Sequence, residues 1–248
     1  MTTASPMPHV MILAAGRGTR LKELTENTPK PLVPVAGVPP LVRTFGLLSR
    51  AGYGDVVVNA CYLADQIDAA AEAARRTHGL AVHVSHEVAM LETGGGITNA
   101  LPLLGDAPFV AINGDLVWGE EDTPILPELP QLFDATQMDA LLVLVPKAAA
   151  PTHQGAGDFS MDAAGRLTHR GPASTAPFIY TGIQMLHPRL FKDAPQGSWK
   201  LVDAYHQAAA RGRLFGVLYH GPWVDMGTPA GMEAAAALLA PGAQAAAG

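Results

Sequence analysis

The sequence predicts an α/β fold: a doubly wound, mostly parallel, Rossmann-like sheet that carries a small antiparallel subregion. Three observations point to it. An apolar run from Val10 to Ala15 ends in Gly16-Arg-Gly-Thr-Arg20, which reads as a buried strand delivering a glycine-rich loop. Strand-like and helix-like segments then alternate along the chain, the signature of βαβ crossovers. Polar residues also collect where strands end, as in PFVAINGD closing on Asn113-Gly-Asp115, which is where sheets of this kind bind ligands. The 248 residues suit a single domain, 1–248, because one core grows to about 250 residues before chains divide.

After the first strand, Pro29, Pro31 and Pro34 keep the chain out of a regular helix. LVRTFGLLSRAG, residues 41–52, has helical spacing and stops at glycine. DVVVNA is the second strand, LADQIDAAAEAARRTHG (63–79) the next helix and LAVHVSHE the third strand. ITNALPLLG (97–105) makes a short helix before PFVAINGD, with Gly94-Gly95-Gly96 as a tight loop ahead of it. LPELPQLFDATQ reads as a helix and DALLVLVPK as a strand. From Pro151 onward, Gly-, Pro- and Asp-rich pieces predict hairpins, so GDFSMDAAGRLTHR becomes two strands around Asp162–Gly165 and residues of roughly 150–200 form the antiparallel subregion. PFIYTGIQMLHPRLF (177–191) returns to a strand and turns toward a short helix, KLVDAYHQAAARG is a helix, and RLFGVLYHG is a strand. TPAGMEAAAALLA closes the fold as a helix capped by Thr228 with Pro229 in its first turn, and the tail PGAQAAAG is expected to fray.

Composition removes several classes of function. Sixteen basic against 22 acidic side chains, a formal charge of −6, give no general attraction to nucleic acid or to an anionic membrane. No apolar run reaches the roughly 18 residues of a membrane span, and MTTASPMPH lacks the basic start and apolar core of an export signal, so a cytoplasmic location is expected. Cys61 is the sole cysteine and reads as a small buried hydrophobe. The nine histidines form no HExxH, and one cysteine excludes a cysteine-rich zinc site.

Gly16-Arg-Gly-Thr-Arg-Leu21 suits phosphate, because glycines let several N–H groups converge on anionic oxygens. It is neither the dinucleotide fingerprint GxGxxG nor a P-loop, and alone it is equally well a turn. The longer segment LAAGRGTRLKELTENTPKPLVPVAGVPPL (13–41), however, resembles the opening signature of the sugar-phosphate nucleotidyltransferases. The likeness continues through Leu91-Glu-Thr-Gly-Gly-Gly96, Asn113-Gly-Asp115, Phe178-Ile-Tyr-Thr-Gly-Ile183 and Trp223-Val-Asp-Met-Gly-Thr-Pro229, nearly the whole chain.

The resemblance implies an enzyme that joins a nucleoside triphosphate to a sugar 1-phosphate, with Mg2+ as cofactor. It implies that Ala14, Ala15, Gly16, Gly18 and Thr19 surround the nucleotide, that Arg20 touches the departing pyrophosphate and that Lys30 reaches the α-phosphate. Glu92 and Gly94 would serve the nucleobase, Asp115 and Asp225 the metal, and Asn113, Thr181 and Gly182 the sugar, with the 150–200 subregion facing it. The residue types fit this chemistry. Fixed cations stabilise charge developing on phosphate oxygens, and two carboxylates completed by water and phosphate suit a hard six-coordinate ion. Arg20, Lys30, Asp115 and Asp225 are therefore the catalytic candidates. No protein nucleophile is demanded, since the incoming phosphate is already anionic.

Compact length, LETGGG and PFIYTGIQ are most similar to the branch that uridylylates N-acetylmuramate 1-phosphate in cell-wall recycling, which implies UTP as donor. A lactyl carboxylate on that sugar calls for a cation or N–H donors. Arg43, Arg166, Arg170, Lys192 and Lys200 are available, and Arg170, just ahead of PFIYTGI, is the favoured contact. Mannose 1-phosphate with GTP, or glucose 1-phosphate with UTP or dTTP, remain alternatives. So does a non-catalytic nucleotide-sugar binding module, against which the complete Arg20, Lys30, Asp115 and Asp225 set speaks.

Overall fold

The structure, a computed structural model, describes residues 7–119, 124–150 and 153–240, so the tail expected to fray lies outside the described residues. Eleven strands are present among them: β1 (Val10–Leu13), β2 (Asp55–Ala60), β3 (Ala81–His86), β4 (Phe109–Asn113), β5 (Leu116–Trp118), β6 (Ala140–Pro146), β7 (Phe159–Met161), β8 (Leu167–His169), β9 (Phe178–Leu186), β10 (Leu214–Leu218) and β11 (Trp223–Asp225). The helices are α1 (Pro40–Arg50), α2 (Ala64–His78), α3 (Glu92–Leu104), α4 (Leu129–Leu132), α5 (Leu201–Ala210) and α6 (Pro229–Leu238).

The main sheet runs β10-β6-β9-β4-β1-β2-β3. β1 pairs in parallel with β2 and β4, β2 with β3, and β6 with β10, while β9 lies antiparallel between β4 and β6. The chain winds outward from β1 through β2 and β3, then returns to place β4 on the other side of β1. The crevice at that reversal, beyond the carboxyl ends of β1 and β4, is where an open α/β sheet binds its ligand. In register, Leu13 stands beside Asn113, and the Gly114 N–H donates to the Leu13 carbonyl at 2.9 Å. The first glycine loop and the NGD turn are thereby fixed next to one another.

Period-two alternation divides the core between the faces of the sheet. Val10, Ile12 and Ala14 of the first strand and its exit pack with Leu41, Phe45 and Ile67 of α1 and α2. Met11 points the other way, among Ile97, Ala100, Ala204 and Ala208 of α3 and α5. The sheet is buried on both sides, which explains why its central strands are nearly continuous apolar runs. β7 and β8 form a hairpin whose turn includes Gly165 at φ +81°, and Phe159 pairs with Phe178 to join that hairpin to β9. Thr228 caps α6 by accepting from the Gly231 N–H at 3.1 Å. Among the described residues, no helix is long and apolar enough to cross a membrane.

Three elements differ from the sequence reading. α3 starts at Glu92, so Gly94, Gly95 and Gly96 lie in its first turns and not in a preceding loop. Packing is the reason: a Cβ on Gly94 would overlap the Trp199 indole, one on Gly95 the Gly197 carbonyl, and one on Gly96 would stand 2.7 Å from Glu87 Oε1. The segment LPELPQLFDATQ keeps only the four residues of α4, because Asp134 accepts from the Thr136 N–H at 2.8 Å and forms a competing turn. Finally, β5 was not legible, and β11 pairs with it antiparallel in a separate two-stranded ribbon.

Candidate active site

A cleft of about 280 Å³ opens at the reversal between β1 and β4. Ala15, Gly16, Gly18, Arg20 and Lys30 form one wall, Asn113 and Asp115 the floor, and Glu92 and Thr93 the far wall. Gly16 has open space where a Cβ would stand, so its backbone faces the cleft unobstructed. Gly18 adopts φ +64°, and a Cβ there would lie 2.7 Å from the Lys30 Cβ. Glycine is therefore required twice over at this position, by backbone conformation and by the close passage of Lys30.

Lys30 is 8% exposed and its ammonium pairs with Asp115 Oδ2. The rigid Pro29-Lys30-Pro31 segment enters a short 3-10 turn, Lys30–Leu32, which carries the side chain inward without a helix. A charged side chain is tolerated in a buried position only when it is paired, and Asp115 supplies that pairing.

Asp225 reaches the same region through tertiary pairing. In the β5–β11 ribbon it stands opposite Leu116, the residue after Asp115, although the two aspartates are far apart in sequence. Their approach is set by this antiparallel pair and not by neighbouring parallel strands. Asp225 Oδ1 accepts from the Gly227 N–H at 2.8 Å, while Oδ2 lies 3.2 Å from His153 Nδ1. Gly227 also allows Arg20 to approach: a Cβ there would lie 2.9 Å from Asp225 Oδ1 and 3.1 Å from either terminal nitrogen of the Arg20 guanidinium. Lys30 is thus paired with Asp115, and Arg20 and Asp225 lie on either side of Gly227. The carboxylates are all-oxygen donors, and among the described residues no group of three or more His, Cys, Asp and Glu gathers as a metal cage. That donor set fits magnesium, which keeps water and substrate phosphate in much of its shell.

The sequence reading missed the network beneath this loop. Asn59, 3% exposed at the end of β2, accepts the Ala14 N–H at 2.6 Å and donates to Glu87 Oε1 at 2.6 Å. Glu87 Oε2 in turn accepts the Leu91 N–H at 3.1 Å. One buried amide and one carboxylate therefore tie the phosphate-loop candidate to the start of α3. The available signal was small: a polar residue closing an apolar strand, DVVVNA, and a glutamate closing LAVHVSHE.

Other expected residues lie further back. Thr19 borders a separate hollow with Arg17 and Tyr62, where the Arg17 guanidinium sits 4.9 Å from the Tyr62 ring centre. Gly94 rests on Trp199, and Glu92 and Thr93 are the members of that segment that reach the cleft. Thr181 is buried, donating to the Val143 carbonyl at 2.8 Å, and its own carbonyl accepts the Trp223 indole N–H at 3.0 Å. Gly182, at φ +89°, makes room for the Asn113 amide, which a Cβ would approach to 2.8 Å. Arg170 donates from Nε to the Gly157 carbonyl and from Nη1 to that of Ala173, bracing the segment between them.

A second cavity, about 240 Å³, adjoins the first and shares Leu13, Thr93 and Asn113 with it. Its remaining wall comes from the antiparallel subregion and α5: Asp158, Phe159, His169, Tyr180, Gln184 and Tyr205. Tyr205 donates to Gln184 Oε1, and the Tyr180 N–H donates to Asp158 Oδ2 at 2.9 Å. Burial raises the phenol pKa of both tyrosines, so they remain protonated donors.

Residues 9–240 match the family model described as nucleotidyl transferase. The chain is 35% identical over 233 residues to N-acetylmuramate alpha-1-phosphate uridylyltransferase of Caulobacter vibrioides, covering 93% of this chain and 96% of that one. It is 36% identical to the protein of the same description from Neisseria meningitidis, covering 92% and 96%. The crystal structure of HddC from Yersinia pseudotuberculosis superposes with a TM-score of 0.73 at 24% identity, over 93% of this chain and 98% of that one, a likeness of fold. With its glycine loop, its NGD turn and its sheet reversal inside a match that spans nearly all of its length, the chain belongs to the nucleotidyl transferase family.

Proposed function

We propose that this enzyme transfers a uridylyl group from UTP to N-acetylmuramate 1-phosphate, releasing pyrophosphate and forming UDP-N-acetylmuramate, with magnesium as cofactor. The observation that carries the reading is that Arg20, Lys30 and Asp115 line one cleft, with Asp225 and Arg20 meeting across Gly227 and a second cavity alongside. The choice of sugar and nucleotide follows the two relatives of nearly equal length. Recovery of cell-wall amino sugars in the cytoplasm is the setting this activity would serve.

The triphosphate lies along Gly16 and Gly18, with the base toward Glu92 and Thr93. Lys30 holds the α-phosphate, and Arg20 compensates the charge that collects on pyrophosphate. A phosphate oxygen of the sugar phosphate attacks the α-phosphorus, its new P–O bond forming as the bond to pyrophosphate breaks and the electron pair leaves with pyrophosphate. The attacking oxygen is already anionic, so no proton needs removing. Asp115 and Asp225 would hold Mg2+, which when bound neutralises phosphate charge and aligns the reacting oxygens. The chain's own part is alignment and fixed charge: the Asn59–Glu87 network holds the loop, and Gly227 and His153 hold the Asp225 carboxylate. The sugar occupies the second cavity behind Asn113, with Gly182 shaping its floor and Arg170 stiffening its outer segment.

Pyrophosphate release with UTP, GTP and dTTP against a panel of sugar 1-phosphates is the test. The pair UTP and N-acetylmuramate 1-phosphate should give the highest kcat/KM, and chelation of magnesium should abolish turnover. A different preferred pair would refute the substrate reading, and binding without turnover for every pair would refute the enzymatic one.

A further inference from the structure

The second cavity holds a chemistry that the transfer reaction does not use. Among the described residues that line it there is no lysine or arginine, and Asp158 places a carboxylate on its wall. A substrate bearing a carboxylate would meet repulsion there unless a cation stood opposite. His169 is the one lining side chain able to become cationic. Its Nδ1 accepts the Gly171 N–H at 3.1 Å, which fixes the neutral tautomer: the proton resides on Nε2, the nitrogen left to serve as donor. The ring is held edge-on to Phe159 at 5.4 Å and to His206 at 4.8 Å between centres, so its orientation is set by packing.

We infer that His169 reads the lactyl carboxylate of the sugar substrate through Nε2–H, and so determines selectivity between N-acetylmuramate and N-acetylglucosamine 1-phosphates. The inference rests on the proposed substrate and deepens it. Asp158 is then left for neutral donors of the sugar, and Arg170, next in sequence to His169, acts on it from outside the cavity wall through the segment it braces. Burial lowers the His169 pKa, His206 and Arg170 add to that effect, and Asp158 opposes it. A bound carboxylate reverses the balance by favouring the charged imidazole. The advantage of the lactyl-bearing substrate must therefore grow as pH falls, and shrink as pH rises and the imidazole becomes neutral.

The experiment compares kcat/KM for the two sugar 1-phosphates at saturating UTP and magnesium, between pH 5.5 and 8.5, in wild type, His169→Gln and His169→Phe. The readout is the ratio between substrates, in which any loss common to both cancels, as does titration of the shared phosphate. Wild type should prefer N-acetylmuramate 1-phosphate, increasingly so at low pH. His169→Phe, which preserves a ring for Phe159 and His206, should cut the ratio on the order of tenfold or more, the factor carried by a hydrogen bond to a charged group. His169→Gln, a neutral donor, should fall between them, and both variants should lose the pH dependence of the ratio. A wild-type preference that survives in both variants overturns the assignment and leaves the proposed function standing. Equal wild-type rates overturn the sugar reading and this inference with it. Should neither variant fold, the wild-type profile decides, because a ratio flat across this pH range contradicts a histidine reader.

Discussion

Replacing Asn59 by leucine tests whether the glycine loop is held by the buried amide beneath it. Leucine matches asparagine in size but removes both a donor and an acceptor. Ala14 then keeps an N–H that is buried without its 2.6 Å partner, at a cost of about 1–3 kcal/mol. Glu87, 7% exposed, loses one donor and keeps the Leu91 N–H, adding a loss of similar order. The apolar gain from leucine offsets part of this, leaving a destabilisation of about 2–4 kcal/mol. Urea unfolding measures it. The double variant Asn59→Leu/Glu87→Met removes the second partner as well, so its loss of stability should fall short of the sum of the two single losses by about 1–3 kcal/mol. Because Ala14 opens the loop that reaches Gly18 and Arg20, KM for UTP should rise in Asn59→Leu. A loss below about 1 kcal/mol, or additive single and double variants, would refute the anchoring role, since both outcomes require the N–H and the carboxylate to be satisfied elsewhere.

Lys30→Met retains the length of the side chain and removes its charge. Single-turnover rate should fall by about 10²- to 10³-fold, while stability changes by under about 2 kcal/mol, because Asp115, with 28% of its side chain exposed, rehydrates; rapid-quench kinetics beside a melting curve separate the two, and a normal rate rejects the role. Gly18→Ala forces a Cβ to within 2.7 Å of the Lys30 Cβ at φ +64°, so at least about 1–2 kcal/mol of stability and a large part of the rate should disappear together; an unaffected melting temperature would contradict the close packing described. Asp115→Asn and Asp225→Asn should each raise the magnesium concentration needed for half-maximal rate by tenfold or more, on the order of the loss of one charged ligand interaction. Wild-type magnesium dependence in both folded variants would remove these residues from the metal site.

Much of the fold is legible because its signals are local. The run Val10–Ala15, the spacing of α1 and α2, the glycine stops at Gly52 and Gly79, and the Thr228 cap all express the periods of strand and helix or the chemistry of chain reversal within a few residues. The motif residues Gly16, Gly18, Arg20, Lys30 and Asp115 could be placed near one cleft for a similar reason: the reversal of strand order sends the ends of β1 and β4 to a single crevice.

What the tertiary structure alone decided concerns contacts between distant segments. No local pattern states that β11 turns back on β5, yet that antiparallel pairing sets Asp225 opposite Leu116, the residue after Asp115, and Gly227 leaves room for Arg20 beside it. Glycine at 94, 95 and 96 reads as a loop from sequence because glycine disfavours helix, and it is helical here because Trp199, Gly197 and Glu87 pack into the space a side chain would fill. Asn59 and Glu87 carry no motif: their role exists only once the partners Ala14 and Leu91 arrive from elsewhere in the chain. Sequence specifies backbone preference and residue chemistry position by position, whereas a buried polar group acquires its partner, and a cleft its second wall, only when non-local strands have closed the sheet.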